Sequence, residues 1–235
     1  MTESCKFTDD VHRYQCASTI TWAASHYYRY LFGLLPQSIQ PAPGYVRPMN
    51  ILWLSRRQLD AYAIAHNDLS AWRAHRVLQN EEEVLLRLKR GLNDMCGPDG
   101  DGKRIFGSYG CAFDDVDEDP DTWDTSLVPD NEPVPVRFAD IDPTTVDLER
   151  QILFAAHSTI IVSQHGGGLG LSLFLPPGQA AILELQVRAV KGNFHFEHMA
   201  YQMGQKYQLL EIQKNINADE LWDNLHKLVA DMAGK

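Results

Sequence analysis

The residues best suited to chemistry form a single run, His165-Gly166-Gly167-Gly168-Leu169. It follows the β-branched segment Thr159 to Val162 and leads into Gly170-Leu171-Ser172-Leu173-Phe174-Leu175, an apolar stretch of helical length. The order this predicts is strand, glycine turn, helix. Backbone N–H groups unshielded by Cβ atoms approach a ligand closely, and a helix start behind them favours an anion, so the chemistry is phosphate binding. His165 at the mouth of the turn adds a titratable donor. An ordinary strand-to-helix connection of an α/β protein has the same composition, so residues elsewhere must decide between the two.

Cationic partners occur earlier in the chain. Asn50-Ile51-Leu52-Trp53-Leu54 reads as a short buried strand ending in Ser55-Arg56-Arg57, and the carboxyl end of a strand is where open α/β sheets take their ligands. The plain alternative for Arg56 is a solvated basic loop. Arg73, His75 and Arg76 lie in Gln58 to Gln79, which reads as a polar loop. One carboxylate, Glu184, sits inside the apolar run Ala180 to Leu185; a buried carboxylate there must hydrogen-bond a neighbour or bind a ligand hydroxyl.

Several other chemistries fail on their spacing. His-Gly-Gly-Gly is an oxyanion-hole signature of some esterases, but no G-x-S-x-G elbow follows, because Gly170-Leu171-Ser172-Leu173 continues into Phe174. A strict G-x-G-x-x-G dinucleotide fingerprint is absent, and an acidic residue about 20 positions on is met only loosely by Glu184. Asp115, Asp117, Asp119 and Asp121 alternate like a calcium loop, yet Pro120 stands where the turn needs glycine and no glutamate closes the loop. His195 and His198 have no third ligand, and Cys5, Cys16, Cys96 and Cys111 show no C-x-x-C pair, leaving disulfides open.

The elements that would position these residues follow from periodicity. Ala23, Tyr27, Tyr30, Leu31 and Leu34 form a helical stripe read as packing, and Pro36 to Pro48 is an extended connector. Asn80 as N-cap and Glu83 form a capping pair for a helix with Val84, Leu85, Leu88 and Leu92 inward. Asp142-Pro143 starts a helix with Leu148, Ile152, Ala155 and Ala156 inward. Phe196 to Tyr207 marks a further helix, Gln208 to Ile212 a strand, and Asn217 with Glu220 caps a last helix striped by Leu221, Leu225, Leu228 and Met232. Strands alternating with helices predict an α/β fold, a doubly wound, mainly parallel sheet of Rossmann-like type.

Hydrophobic residues make up 44% of the 235, enough for a sizeable core. The formal charge of −10 is local: Asp99 to Glu149 holds 15 acids and 3 bases, net −12, so the rest of the chain is free to receive an anion. Residues 97–137 accordingly read as an acidic insertion, residues 1–48 as a helical segment with a Pro-rich connector, and residues 49–235 as the main domain. No basic leader with an apolar core and no apolar run of roughly 18 residues is visible, so neither a signal peptide nor a membrane span is expected.

Taken in order, Arg56, Arg76 ahead of Asn80-Glu81-Glu82, Gln151, His165-Gly166-Gly167-Gly168-Leu169, Phe174, Pro177-Gly178 and Glu184 resemble the C-terminal half of family 61 glycosyltransferases, from about Asn50 to Ile212. That family includes protein O-linked N-acetylglucosaminyltransferases and plant xylosyl- and arabinosyltransferases. Its motif is usually His-Gly-Ala-Gly-Leu, so Gly167 is a departure by one methyl group. The resemblance implies the C-terminal domain of a GT-B fold, a UDP-sugar as donor, a glycan or protein hydroxyl as acceptor, inversion at the anomeric carbon and no obligatory metal or other cofactor. It implies donor contacts from Arg56, Arg76, Asn80, Gln151, His165, Gly166, Gly167, Gly168 and Leu169, with Glu184 on the ribose hydroxyls. No nucleic-acid partner is expected, and a longer parent protein would place the domain in the ER or Golgi lumen. Only about 48 residues precede the first strand, too few for a second Rossmann unit, so the alternative is a silent relative that binds a nucleotide sugar or a partner without turnover. No residue of the sequence stands out as the general base.

Overall fold

A computed structural model describes residues 15–34, 41–66, 78–116, 123 and 126–233. Its centre is β2 (Met49–Leu54), whose every residue is buried. Parallel strands flank it on both sides: β5 (Val134–Ile141) on one, β6 (Ile160–Gln164) on the other. Beyond β5 lies β3 (Cys111–Asp115), and beyond β6 come β7 (Ala181–Val187) and β8 (Lys206–Ile212), giving the order β3-β5-β2-β6-β7-β8 with every pairing parallel. A two-residue antiparallel pair, β1 (Tyr45–Val46) with β4 (Val128–Pro129), stands apart.

Strands covered on both faces read as continuous apolar runs, which is why Ile160 to Val162 and Ala181 to Leu185 showed no alternation. Ile51, Trp53, Val162 and Leu183 meet α3 (Glu81–Cys96) and α7 (Ala218–Ala233) on one face. Leu52, Leu54, Ile161 and Ile182 meet α5 (Leu148–Ala156), a 3-10 helix, Gly167–Phe174, and α6 (His195–Gln202) on the other. The result is the Rossmann-like, doubly wound α/β sheet that the alternation predicts. One detail departs from the usual order of such sheets: the strand that follows β2 along the chain, β3, is at the edge, and β5 lies between them.

The acidic stretch is therefore not an insertion in the structural sense. It supplies the whole of β3 and the start of β5, together with α4 (Gly102–Phe106). Its polar composition masked strands that bury only one side chain in two: β5 alternates buried and partly buried positions through its first half. Trp123 anchors the stretch, fully buried, stacked edge-on against Phe154 and donating its Nε1–H to the Phe154 carbonyl at 3.1 Å. Asp115 pairs with Lys89 at 2.8 Å; Asp117, Asp119 and Asp121 lie outside the described residues.

Other local expectations shift. The supposed loop after Arg57 begins with a helix, α2 (Arg57–Ala65), a run free of Gly and Pro whose apolar residues are too scattered to reveal it. Asp142 does not cap a helix; it organises a turn, and the N-cap of α5 is Asp147, which accepts from the Arg150 N–H at 2.9 Å. Leu148 is consequently exposed, while Ile152, Ala155 and Ala156 are buried as expected. The largest reversal concerns α1 (Gln15–Leu31), where Tyr27, Tyr30 and Leu31 face outward and, among the described side chains from residue 20 on, the buried positions are Ser25 and Arg29. Leu34 alone of the buried-stripe candidates above position 30 is covered.

Polar contacts hold α1 down. The Ser25 hydroxyl donates to the Leu173 carbonyl at 2.5 Å, and the Arg29 guanidinium donates to the carbonyls of Ala156 and Phe174. Those two residues end α5 and the 3-10 helix, so a cation sits where two sets of terminal carbonyls gather. Burial lowers the Arg29 pKa to about 10, which leaves it charged at neutral pH.

A disulfide joins Cys96, the last residue of α3, to Cys111, the first of β3, with Cα atoms 4.9 Å apart. It closes a 15-residue separation, and chain-entropy arguments assign a loop of that size about 3 kcal/mol of stabilisation. Urea unfolding of the oxidised chain and of a Cys96→Ser variant is expected to differ by that order, the variant being the weaker. Equal midpoints would show that α3 and β3 hold together without the bond.

Candidate functional site

Three strand ends converge at one edge of the sheet. β2 ends in Leu54-Ser55-Arg56, β5 leads into Asp142-Pro143-Thr144, and β6 leads into the glycine turn. The Ser55 N–H donates to the Ile141 carbonyl at 2.8 Å and the His165 N–H to the Leu185 carbonyl at 2.9 Å, so pairing continues past the formal strand ends and fixes both loops. From β2 the chain runs out toward β3, and from β6 it runs the opposite way toward β7. Such a reversal opens a crevice at the carboxyl ends of an α/β sheet.

A cleft of about 110 Å³ occupies this crevice, walled by Leu54, Arg56, Asp142, Ser163, Gly166 and Gly168 among others. Arg56 and the glycine turn thus share one cavity, as the sequence reading requires. Arg76 lies outside the described residues. The Arg56 Nε is buried with no hydrogen-bond partner among the described residues, and its terminal nitrogen is 3.6 Å from Asp60. Burial raises the Asp60 pKa, opposed by the Arg56 charge beside it.

The glycines contribute by what they leave open. Gly166 is in extended backbone and needs no special conformation. A Cβ on Gly167 would meet nothing within 4 Å, and one on Gly168 would sit 3.7 Å from Leu54 and 3.9 Å from the Ser163 hydroxyl, in ordinary contact but inside the cleft. Alanine at 167, the residue usual in the resembled motif, therefore fits this backbone. The N–H groups of Gly166, Gly167 and Gly168 have no backbone acceptor among the described residues, as expected for the first turn of a helix. That helix is 3-10 where an α-helix was expected.

Other candidates prove structural. Leu169 is fully buried, its N–H closing the turn onto Gly166 at 3.0 Å. Gln151 donates through Nε2 to the carbonyls of Pro143 (2.8 Å) and Val146 (2.6 Å), holding the turn that forms one wall of the cleft. Asn80 precedes α3, but its side chain makes no capping bond; it spans to α7's approach, exchanging two 2.9 Å hydrogen bonds with the backbone of Ile216. Asp142 accepts from the N–H groups of Thr144 and Gln58, both at 2.9 Å, and from the Thr144 hydroxyl at 2.7 Å. Those donors absorb a negative charge that would otherwise repel an anion in the cleft.

Glu184 has no exposure, which removes it from direct contact with ribose. Its Oε1 accepts from His165 Nδ1 at 2.5 Å and from Gln186 at 3.3 Å, and its Oε2 accepts from the Tyr207 hydroxyl at 2.8 Å. Burial and the Glu184 charge push the Tyr207 pKa up, keeping the phenol protonated as a donor. The His165 ring also packs edge-on against Phe196, centroids 5.3 Å apart. Of the two readings of Glu184, hydrogen bonding to a neighbour is the one observed.

Trp53 and Asp140, which the sequence did not flag as site residues, lie on the opposite face of the same edge with Glu81 and Arg57. Trp53 Nε1–H donates to Glu81 at 2.7 Å, and Asp140 pairs with Arg57 at 2.5 Å. Glu81, the first residue of α3, is buried, its pKa raised by desolvation. A larger cavity, about 570 Å³, opens at the amino ends of the strands beside Pro43, Tyr45, Met49, Phe106 and Met232, away from the glycine turn. Among the described residues no cluster of three or more His, Cys, Asp or Glu side chains forms a metal site, and no helix is long and apolar enough to cross a membrane. No family model and no curated protein matches the chain.

Burial lifts the Asp140 pKa from 3.8 to about 6, so the folded state holds a proton there more tightly than the unfolded state. Stability conferred by that proton is present below about pH 4 and is lost as pH rises toward 6. In urea titrations an Asp140→Asn variant should gain on the parent by roughly 2–3 kcal/mol between about pH 4 and pH 7, at about 1.4 kcal/mol per pKa unit. A difference independent of pH would place the raised pKa elsewhere.

Proposed function

We propose that this domain binds the diphosphate of a UDP-sugar in the cleft between Arg56 and the glycine turn, and transfers the sugar to a hydroxyl acceptor with inversion. The observation that carries the reading is the meeting of Arg56 with Gly166 and Gly168 around one cavity at the point where the sheet's connections reverse. Breaking a glycosyl–phosphate bond leaves a diphosphate whose charge must be neutralised. Amides without acceptors, a helix start and a guanidinium with an unpartnered N–H provide that stabilisation from the protein alone. A cleft of about 110 Å³ is smaller than the roughly 300–1,000 Å³ of a complete ligand pocket, so it suits the phosphates and not the whole nucleotide.

The alternative, binding without turnover, shares this cleft and differs only in the chemistry that follows. Calorimetry with UDP separates the site from its rivals. An Arg56→Ala variant should bind UDP roughly 10- to 100-fold more weakly, the scale of one or two charge-assisted hydrogen bonds. Gly167→Ala should change affinity little, since its methyl group enters open space. Unaltered UDP affinity in Arg56→Ala would refute the donor-site assignment; release of sugar from UDP-GlcNAc or UDP-xylose by the purified chain separates a transferase from a silent binder.

A further inference from the structure

We propose that the cavity of about 570 Å³ at the amino ends of the strands is a second binding site, which takes a small amphipathic anion: an aryl or alkyl body with a carboxylate, sulfonate or phosphate head set against Arg47. The volume lies within the roughly 300–1,000 Å³ of small-molecule pockets, which the cleft at the glycine turn does not reach. No described residue lines both, and the two lie at opposite ends of the parallel strands, so this inference stands apart from the donor-site reading.

Rigid chain holds the cavity open. One wall runs from Pro41 to Pro48, where the rings of Pro41, Pro43 and Pro48 fix φ and Gly44 makes a turn at a φ of +84°. The Tyr45 N–H donates to the Ala42 carbonyl at 3.1 Å and the Asp130 N–H to the Gly44 carbonyl at 2.9 Å, which ties this wall to the pairing of β1 with β4. Met49 and Val134 begin β2 and β5, Phe106 ends α4 and Met232 lies in the last turn of α7, so the sheet and two helices complete the lining with apolar side chains. Met49, Val134 and Met232 are themselves buried in the core. A pocket formed in advance spares a ligand the cost of ordering it.

Polarity is gathered at one end. A hollow of about 20 Å³ adjoins the cavity, and Arg47, Pro48, Thr159 and Gln179 line both. Three of those four are polar, whereas Phe106, Val134, Met232 and Ala233 belong to the larger cavity alone. Thr159 is used within the fold: its hydroxyl donates to the Pro48 carbonyl and accepts from the Asn50 N–H, both at 3.2 Å. Hydrogen-bonding capacity is left over on Gln179, whose Oε1 is buried with no partner among the described residues. Arg47 is the one charged side chain among the described residues of the larger cavity, unaccompanied there by Asp, Glu or Lys. Burial lowers its pKa, as for a guanidinium drawn partly out of water, where pairing with an anion gains strength. An apolar chamber with a single cation at one end complements an apolar molecule with a single anionic head.

The test compares two dyes that differ only in charge, anilinonaphthalene sulfonate and phenylnaphthylamine, the same molecule without its sulfonate. Fluorescence titration of the folded chain is expected to show one site for each, with the sulfonate bound more tightly. Arg47→Met should weaken the sulfonate dye about tenfold, the scale of a charge-assisted contact at a half-buried side chain. The uncharged dye should stay within about twofold, because methionine keeps an apolar stem. Ala233→Trp, which places an indole in the chamber, should abolish binding of both, while Tyr30→Ser, on the exposed face of α1, should change neither. Saturating UDP should leave the bound dye in place. Melting curves confirm that each variant is folded. Equal loss of both dyes in Arg47→Met, or an unaltered sulfonate affinity, overturns the anion assignment. A parent that binds neither dye, binding that survives Ala233→Trp, loss in Tyr30→Ser, or displacement by UDP overturns the site itself.

Discussion

Parallel pairing of β2 with a strand on each side is the constraint on which the molecule rests. A parallel ladder satisfies the backbone of β2 only if β5 and β6 run beside it in the same direction, so three carboxyl ends emerge at one edge. Each must then turn back through a connection on one face or the other, and the connections of β2 and β6 diverge. The cleft is the gap they leave. Its chemistry is thus a product of topology before it is a product of residue identity, and Arg56 and Gly168 face one another because their strands are hydrogen-bonded neighbours.

The polar groups inside the protein serve this geometry. Arg29 gathers the terminal carbonyls of α5 and of the 3-10 helix, so a buried charge secures the far end of the element that begins with the glycine turn. Gln151 and Asp142 hold the opposite wall through backbone groups of the turn after β5. Each charge or amide meets several partners, the condition under which burial of such groups is tolerated. Among the described residues the buried Arg56 Nε lacks a partner, and so do both polar atoms of the Gln164 amide, which lines the same cleft.

What the sequence disclosed depended on whether neighbours in the chain determined the environment. The strands of the sheet centre were legible because burial on both faces demands unbroken apolar runs, and α7 because Asn217 caps it and four apolar residues stripe it. The edge of the sheet was not: β3, Cys-Ala-Phe-Asp-Asp, has a composition set by partial exposure. For the site, spacing identified Arg56 and the glycines but could not reveal that Glu184, 19 residues beyond His165, would meet it across adjacent strands in register. Asn80 and Gln151 carried side chains suited to a ligand and used them on backbone groups distant in sequence or across a turn. α1 inverted the expectation because its inward face is chosen by carbonyls that need a donor, and helical periodicity weighs only hydrophobicity.

The open space beyond Gly167 has a practical side. Because a Cβ added at that position meets no neighbour, the turn offers an attachment point for a reporter group, such as a small fluorophore on an introduced thiol, between two glycines that line the cleft. Occupancy of the site would then become an optical signal, obtained without altering any side chain that packs the sheet.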